Sequence, residues 1–262
     1  MTTLFECIGI VLVSTVMALC GLFIVRKRIS RAALEACHEV GGYLLAVVGT
    51  LYAILLGLIV VNAQSNVDQA RQLAIAEANT LSNIYHLSRP FAQPSKQAIR
   101  DSLYGYALAI ENQDWSKVEE GKEKEATVPE YRRLWREVTS YVPQGQNEQQ
   151  CYSTMLADME QLSDARRHRM VAARCGLSPV LWMVLIVGGA MIVLFTYFFF
   201  VESLLAQTLM TSFVVIFLAL NIYLIYLYQN PYRKELGVKQ AGFSYSFSPN
   251  WFKDDPKHPD KD

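Results

Sequence analysis

Charge is scarce in this sequence. Only 18% of its 262 residues are Asp, Glu, Lys or Arg, and the two signs balance at 24 each. A chain so balanced offers no bulk positive field to a polynucleotide, so nucleic acid is not an expected partner. Histidine is equally thin, with four residues at 38, 86, 168 and 258. Glu35 with His38, and Asp164 with His168, share a helical face at spacings of three and four, yet neither pair has the third ligand that a metal site requires. Both read as surface hydrogen-bond pairs. There is no glycine-rich phosphate loop, no GxSxG elbow and no pair of carboxylates inside the apolar segments. The chain is therefore expected to be no enzyme and to carry no cofactor or metal. The five cysteines, at 7, 20, 37, 151 and 175, form neither a CxxC pair nor a metal-ligand spacing, and read as small buried hydrophobes.

What the sequence has in abundance is apolar length. With 52% hydrophobic residues it is too apolar for an ordinary soluble domain. Four runs, from Leu4 to Val25, Gly42 to Asn62, Pro179 to Phe200 and Leu204 to Tyr228, are each long enough to cross roughly 30 Å of lipid as helix. The first lacks a basic n-region, carries Glu6 at its start and is followed by RKRISR rather than a cleavage site, so it reads as a retained span, not a signal peptide. Around Cys20, Leu19 stands where a lipoprotein site wants a small residue. Ser178 can cap the third span, with Pro179 in its first turn, where no N–H partner is needed. Few residues separate spans three and four, which predicts a tight antiparallel pair with Glu202 and Gln207 near the interface. The expected fold is an all-α membrane protein: four transmembrane helices in two hairpins, with a helical soluble domain inserted between them. The expected boundaries are 1–62 for the first hairpin, 63–177 for the soluble domain, 178–230 for the second hairpin and 231–262 for a partly disordered tail.

Within 63–177 the pattern is helical throughout. Val67, Ala70, Ala74, Ala78, Leu81 and Tyr85 recur at spacings of three and four until Arg89-Pro90 ends the run. Ile99, Leu103, Tyr106 and Ile110 mark a second helix, Tyr131, Leu134, Trp135 and Val138 a third, and Tyr152, Met155, Met159 and Leu162 a long fourth. The fourth is expected to stop at Cys175-Gly176, with the glycine left-handed. WSKVEEGKEKEATVPE between them reads as a solvated loop. In the tail, GFSYSFSPNWF is an aromatic cluster that either latches onto the body or anchors at the interface.

The second span emerges from the membrane into the soluble domain with no proline or helix stop, and it carries two distinct faces. Gly42, Ala46, Gly49, Ala53 and Gly57 form a small-residue face suited to close approach of another helix. Leu45, Val48, Tyr52, Leu55, Ile59, Asn62 and Asn66, with Leu56 beside them, form a stripe that is apolar through the bilayer and amide-rich where the helix emerges. Two readings of that stripe stand. It lines a pore with a hydrophobic constriction that gates by dewetting, or it faces lipid or the first span. Asn221, deep in span four, bonds either across subunits or within its own bundle.

Basic residues near the membrane ends are more numerous on the side of the soluble domain (Arg71, Arg166, Arg167, Arg169, Arg174, Arg233, Lys234, Lys239) than in the first loop (Arg26, Lys27, Arg28, Arg31). The larger count places the domain and C-terminus in the cytoplasm, although the first span alone favours the reverse.

The run HEVGGYLLAVVGTLYAILLGLIVVNAQSNVDQARQLAIAEANTLSNIYHLSRPF resembles the bestrophin-like domain family of bacterial membrane proteins, as do LSPVLWMVLIVGGAMIVLFTYFF and ALNIYLIYLYQNPYRKEL after it. The marks are His38-Glu39-Val40, Tyr52 with Leu55-Leu56, Glu77-Ala78, Pro179 with Trp182, and Asn230-Pro231. Asn62 to Asn66 replaces a stretch that usually holds a tryptophan, so a role tied to that aromatic is not carried over. The resemblance implies a pentameric channel in the bacterial inner membrane, conducting small inorganic ions, whose second helix lines the pore and continues into a cytoplasmic helical domain. Its implied partners are the lipid bilayer, further copies of the chain and those ions. The alternative is a membrane-anchored sensor or scaffold whose helical domain binds a protein or ligand, with no conduction.

Overall fold

A computed structural model describes residues 2–110, 128–174, 176–199 and 201–238. Among them are seven α-helices and no strand: α1 (Thr2–Arg28), α2 (Arg31–Leu87), α3 (Ser95–Ala109), α4 (Val128–Thr139), α5 (Gln146–Arg174), α6 (Pro179–Tyr197) and α7 (Leu204–Gln229), with a 3-10 turn at Lys234–Leu236. Four are long and apolar enough to cross a membrane: α1, α2 from Val40 onward, α6 and α7. The expected RKRISR loop is almost absent. Arg26, Lys27 and Arg28 close α1, Arg31 opens α2, and Ile29 and Ser30 alone separate the helices.

The chain divides into two compact units, residues 1–64 with 177–229 and residues 65–176 with 230–262, and α2 contributes to both. In the first unit α1 packs on α6 and α7, and α6 packs on α7. Hydroxyls at the helix contacts find backbone acceptors, as an apolar surround demands. Tyr52 donates to the Leu185 carbonyl at 2.9 Å, Tyr197 to that of Ala18 at 2.7 Å and Tyr223 to that of Thr3 at 2.7 Å. Gly21 makes room for Tyr197, because a Cβ there would stand 2.8 Å from its hydroxyl. Ser178 caps α6 as its sequence suggests, its hydroxyl accepting from the Leu181 N–H at 3.3 Å. Arg26 is tied down rather than free in a loop. It donates to Gln207 Oε1 at 2.8 Å and to the Val201 carbonyl at 3.0 Å, while Gln207 Nε2 donates to Phe199 O at 2.7 Å.

In the second unit α3 packs on α4. The positions expected from helical spacing form its core: Leu81, Ile99, Leu103, Tyr106, Leu134, Val138, Met155, Met159 and Leu162 are fully buried, as are Ala70, Ala74 and Ala78. Each large apolar side chain so buried stabilises by about 1.5–3 kcal/mol before entropic costs. Phe91 stacks on Tyr141 with centroids 4.2 Å apart, just past the end of α2. α5 closes at Arg174; Cys175, through which the expected stop at Cys175-Gly176 runs, lies outside the described residues, and Gly237 takes a positive φ of 64°. Asp164 lies 4.0 Å from Arg167. The segment 111–127, Cys175, the aromatic tail from residue 239 onward, and the side chains of residues 31–39 with Glu35, Cys37, His38 and Glu39 lie outside the described residues.

Candidate functional site

In the first unit α2 turns one face inward. Tyr52, Leu56 and Ile59 are buried in a cluster with Leu185 and Ile192 of α6 and Ile225 of α7. Leu45, Leu55, Trp182, Val214 and Leu218 pack around it. The place of Tyr52 is set by Gly188-Gly189 on α6. A Cβ on Gly188 would meet the Tyr52 ring at 2.6 Å, and one on Gly189 would meet its hydroxyl oxygen at 3.1 Å. The glycine pair therefore forms a socket, and the Leu185 carbonyl above it accepts the phenolic proton. The socket is hidden in the sequence because VGGA in an apolar span looks like any small-residue patch, and its counterpart lies on a distant helix.

The expected pore stripe is thereby divided. Tyr52, Leu56 and Ile59 are covered by the chain's own helices; Leu45, Val48, Leu55 and Asn66 are half-buried; Asn62 is exposed. While this packing holds, the three covered residues reach no open surface of the chain. Of the small-residue face, Gly42 and Gly49 are half-buried, whereas Ala46, Ala53 and Gly57 are exposed. A Cβ at Gly49 or Gly57 would meet nothing within 4 Å, and one at Gly42 would lie 3.7 Å from the Phe199 ring. This face is free of contacts with its own chain along most of its length. Between it and the other edge of the stripe runs a bare apolar face formed by Val47, Leu51, Ile54, Leu58 and Val61, the last 66% exposed. Asn221 is partly exposed, and its amide donates to Phe217 O at 2.8 Å within its own helix.

In the second unit α2 carries a buried ion pair. Glu77 is 0% and Arg169 3% exposed. Arg169 Nε donates to Glu77 Oε2 at 2.7 Å and its Nη2 to Oε1 at 3.5 Å, while the Tyr106 hydroxyl donates to Oε1 at 2.7 Å. The Tyr232 hydroxyl donates to the Arg169 carbonyl at 3.2 Å. Removing two charges from water costs several kcal/mol per ion, so such a pair survives only when its remaining lone pairs and protons are also satisfied. Here Tyr106 completes the carboxylate. Burial, and then the neighbouring Glu77 carboxylate, push the Tyr106 hydroxyl well above its ordinary pKa; burial does the same for Tyr232.

The family resemblance marks Glu77 in the sequence, whereas Arg169 stands there only as a charge near a membrane end. A signal was present. Met155, Met159 and Leu162 lead in helical steps to position 169, so a charge in that register predicts a buried partner. Tyr106 enters the helical pattern by its ring alone, and its hydroxyl leaves no mark there.

A family model described as the bestrophin-like domain matches residues 12–243. No curated protein and no solved structure matches the chain.

Proposed function

The chain belongs to the bestrophin-like domain family, and from that membership together with the bare face of α2 we propose that it is one subunit of a homo-oligomeric ion channel lined by α2. The observation that carries this reading is the way α2 divides its circumference within the span. One side is spent on α6 and α7 through Tyr52, Leu56 and Ile59. Ala46, Gly49, Ala53 and Gly57 lie on its flank, about a quarter-turn away at 100° per residue. That flank suits the α2 of a neighbouring copy. The side opposite Tyr52 is then left for the axis, and it carries Val47, Ile54, Leu58 and Val61, all exposed.

In this reading the constriction is made by Ile54, Leu58 and Val61 rather than by Tyr52, Leu56 and Ile59. A ring of branched aliphatic side chains disfavours a continuous water column, so the resting state conducts poorly. Asn62, exposed one residue beyond Val61, sits at the mouth with no charge of its own. The four apolar helices form two hairpins in a bacterial inner membrane, with 63–177 as a cytoplasmic domain. The number of copies is five by family likeness. The pore path is tested by single cysteines placed along α2 in a background freed of the native ones. Water-borne thiol reagents should modify Val47→Cys, Ile54→Cys and Val61→Cys in the reconstituted oligomer while sparing Leu56→Cys and Ile59→Cys. Protection at all five positions would place the bare face in lipid and remove the pore.

A further inference from the structure

α4 and α5 border a cavity of about 370 Å³ lined by Tyr131, Ser163, Arg166, Arg167, Met170 and Val171. The Arg166 guanidinium lies over the Tyr131 ring, its central carbon 4.9 Å from the centroid. The ring is itself held, because the Tyr131 hydroxyl is hydrogen-bonded to Ser163 Oγ, which donates to the Met159 carbonyl at 2.9 Å. Stacking of this kind satisfies the face of a guanidinium and leaves its edge unused. Nε and Nη2 of Arg166 are closed off from water and meet no acceptor among the described residues. The contrast with Arg169, one turn further along α5, is direct. There the Nε–Nη2 edge is taken up by Glu77.

A sheltered cationic edge with no acceptor is costly, and its commonest remedies are an ion or a water that completes it. Arg167 adds a second positive charge to the same wall. Its ion-pair partner Asp164 is 4.0 Å away and the pair is largely exposed, so that contact neutralises little of the charge. Met170 and Val171 give the cavity an apolar side that suits a ligand with a small non-polar body.

We propose that this cavity is a binding site for a small oxyanion, a phosphate or a carboxylate, held in two-pronged fashion by the Nε–Nη2 edge of Arg166 and assisted by the charge of Arg167. Two parallel N–H···O bonds are the geometry for which arginine is fitted and lysine is not. Because the edge is closed off, entry of the anion requires the guanidinium to move outward from the ring and into the cavity. The site lies wholly in the second unit and does not depend on whether α2 lines a pore.

The test is calorimetric titration of the full-length chain in mild detergent with inorganic phosphate, with acetate and with chloride, at constant ionic strength. Saturable binding of phosphate or acetate is expected, and which of the two binds more tightly identifies the ligand as phosphoryl or carboxylate in kind. Arg166→Gln should weaken that binding at least tenfold. Arg166→Lys, which keeps the charge but loses the fork, should fall between wild type and Arg166→Gln. Arg133→Gln, on the exposed side of α4, should leave it unchanged. No saturable binding of either oxyanion would overturn the proposal, as would chloride binding as tightly as the oxyanions or full affinity retained in both Arg166 variants.

Discussion

Replacing Arg169 with methionine removes the cation that Glu77 holds at 2.7 Å and keeps most of the aliphatic volume. The carboxylate is then buried at 0% exposure with the Tyr106 hydroxyl as the donor that remains from this group. Breaking one partner of a buried pair costs about 3–5 kcal/mol, because the other charge stays desolvated. For a chain of this size that corresponds to roughly 6–20 °C in midpoint, at about 2–4 °C per kcal/mol. The assay is thermal unfolding of detergent-purified protein, followed by the loss of helical circular dichroism. A second variant separates the pair from simple packing. Glu77→Leu with Arg169→Met and Tyr106→Phe removes every charge and the hydroxyl together, and should recover most of the loss, since well-packed apolar replacements of a buried pair are often neutral. A single Arg169→Met variant within about 1 kcal/mol of wild type would refute the reasoning, because the carboxylate would then have to be solvated or protonated at no cost.

The Gly188 socket predicts that Gly188→Leu, by driving a side chain into the Tyr52 ring, destabilises by about 1–3 kcal/mol in the same assay. Tyr52→Phe should lose about 1 kcal/mol with its hydrogen bond. A Cβ on Gly49, where Gly49→Leu begins its side chain, meets nothing within 4 Å in its own chain. The substitution should therefore leave the unfolding midpoint unchanged and instead shift the light-scattering mass of the purified protein from oligomer toward monomer. The raised pKa of Tyr106 carries a sign. A hydroxyl held neutral by folding contributes stability fully below its ordinary value near 10, and that contribution drains away as pH rises beyond it. The stability gap between wild type and Tyr106→Phe should accordingly narrow in denaturant titrations taken above pH 10. A reporter fused after Asp262 should report the cytoplasm; an external signal would reverse the assigned orientation.

The helices were legible because their causes are local. Apolar steps of three and four fixed the core of the second unit from Val67 to Leu162, Ser178-Pro179 opened α6, and Pro90 stopped α2 within a few residues of where it ends. Run length did the same for the four apolar spans. The orientation of α2 was not legible in the same way. On a helical wheel the Tyr52 stripe and the bare Ile54 face are equally apolar, and hydropathy cannot tell protein from lipid or from a dry pore. What decides between them is a pair of glycines and one carbonyl on α6, contacts that leave no periodic trace in α2 itself. The short turn at Ile29-Ser30 was missed for a related reason, since a run of charges looks like a loop even when helix continues through most of it. Arg169 shows the converse: its register was visible, but its charge drew it into the count of membrane-flanking cations.

The central claim is conduction, and ion flux through the purified oligomer in liposomes tests it most directly. Wild type should pass a low but measurable current or counter-ion flux. Ile54→Ala, Leu58→Ala and Val61→Ala should raise it severalfold by letting water into the constriction, and Asn62→Asp should tilt it toward cations. Flux at background in wild type and in all four variants, with the oligomer intact, would contradict the channel and leave a membrane-anchored sensor or scaffold.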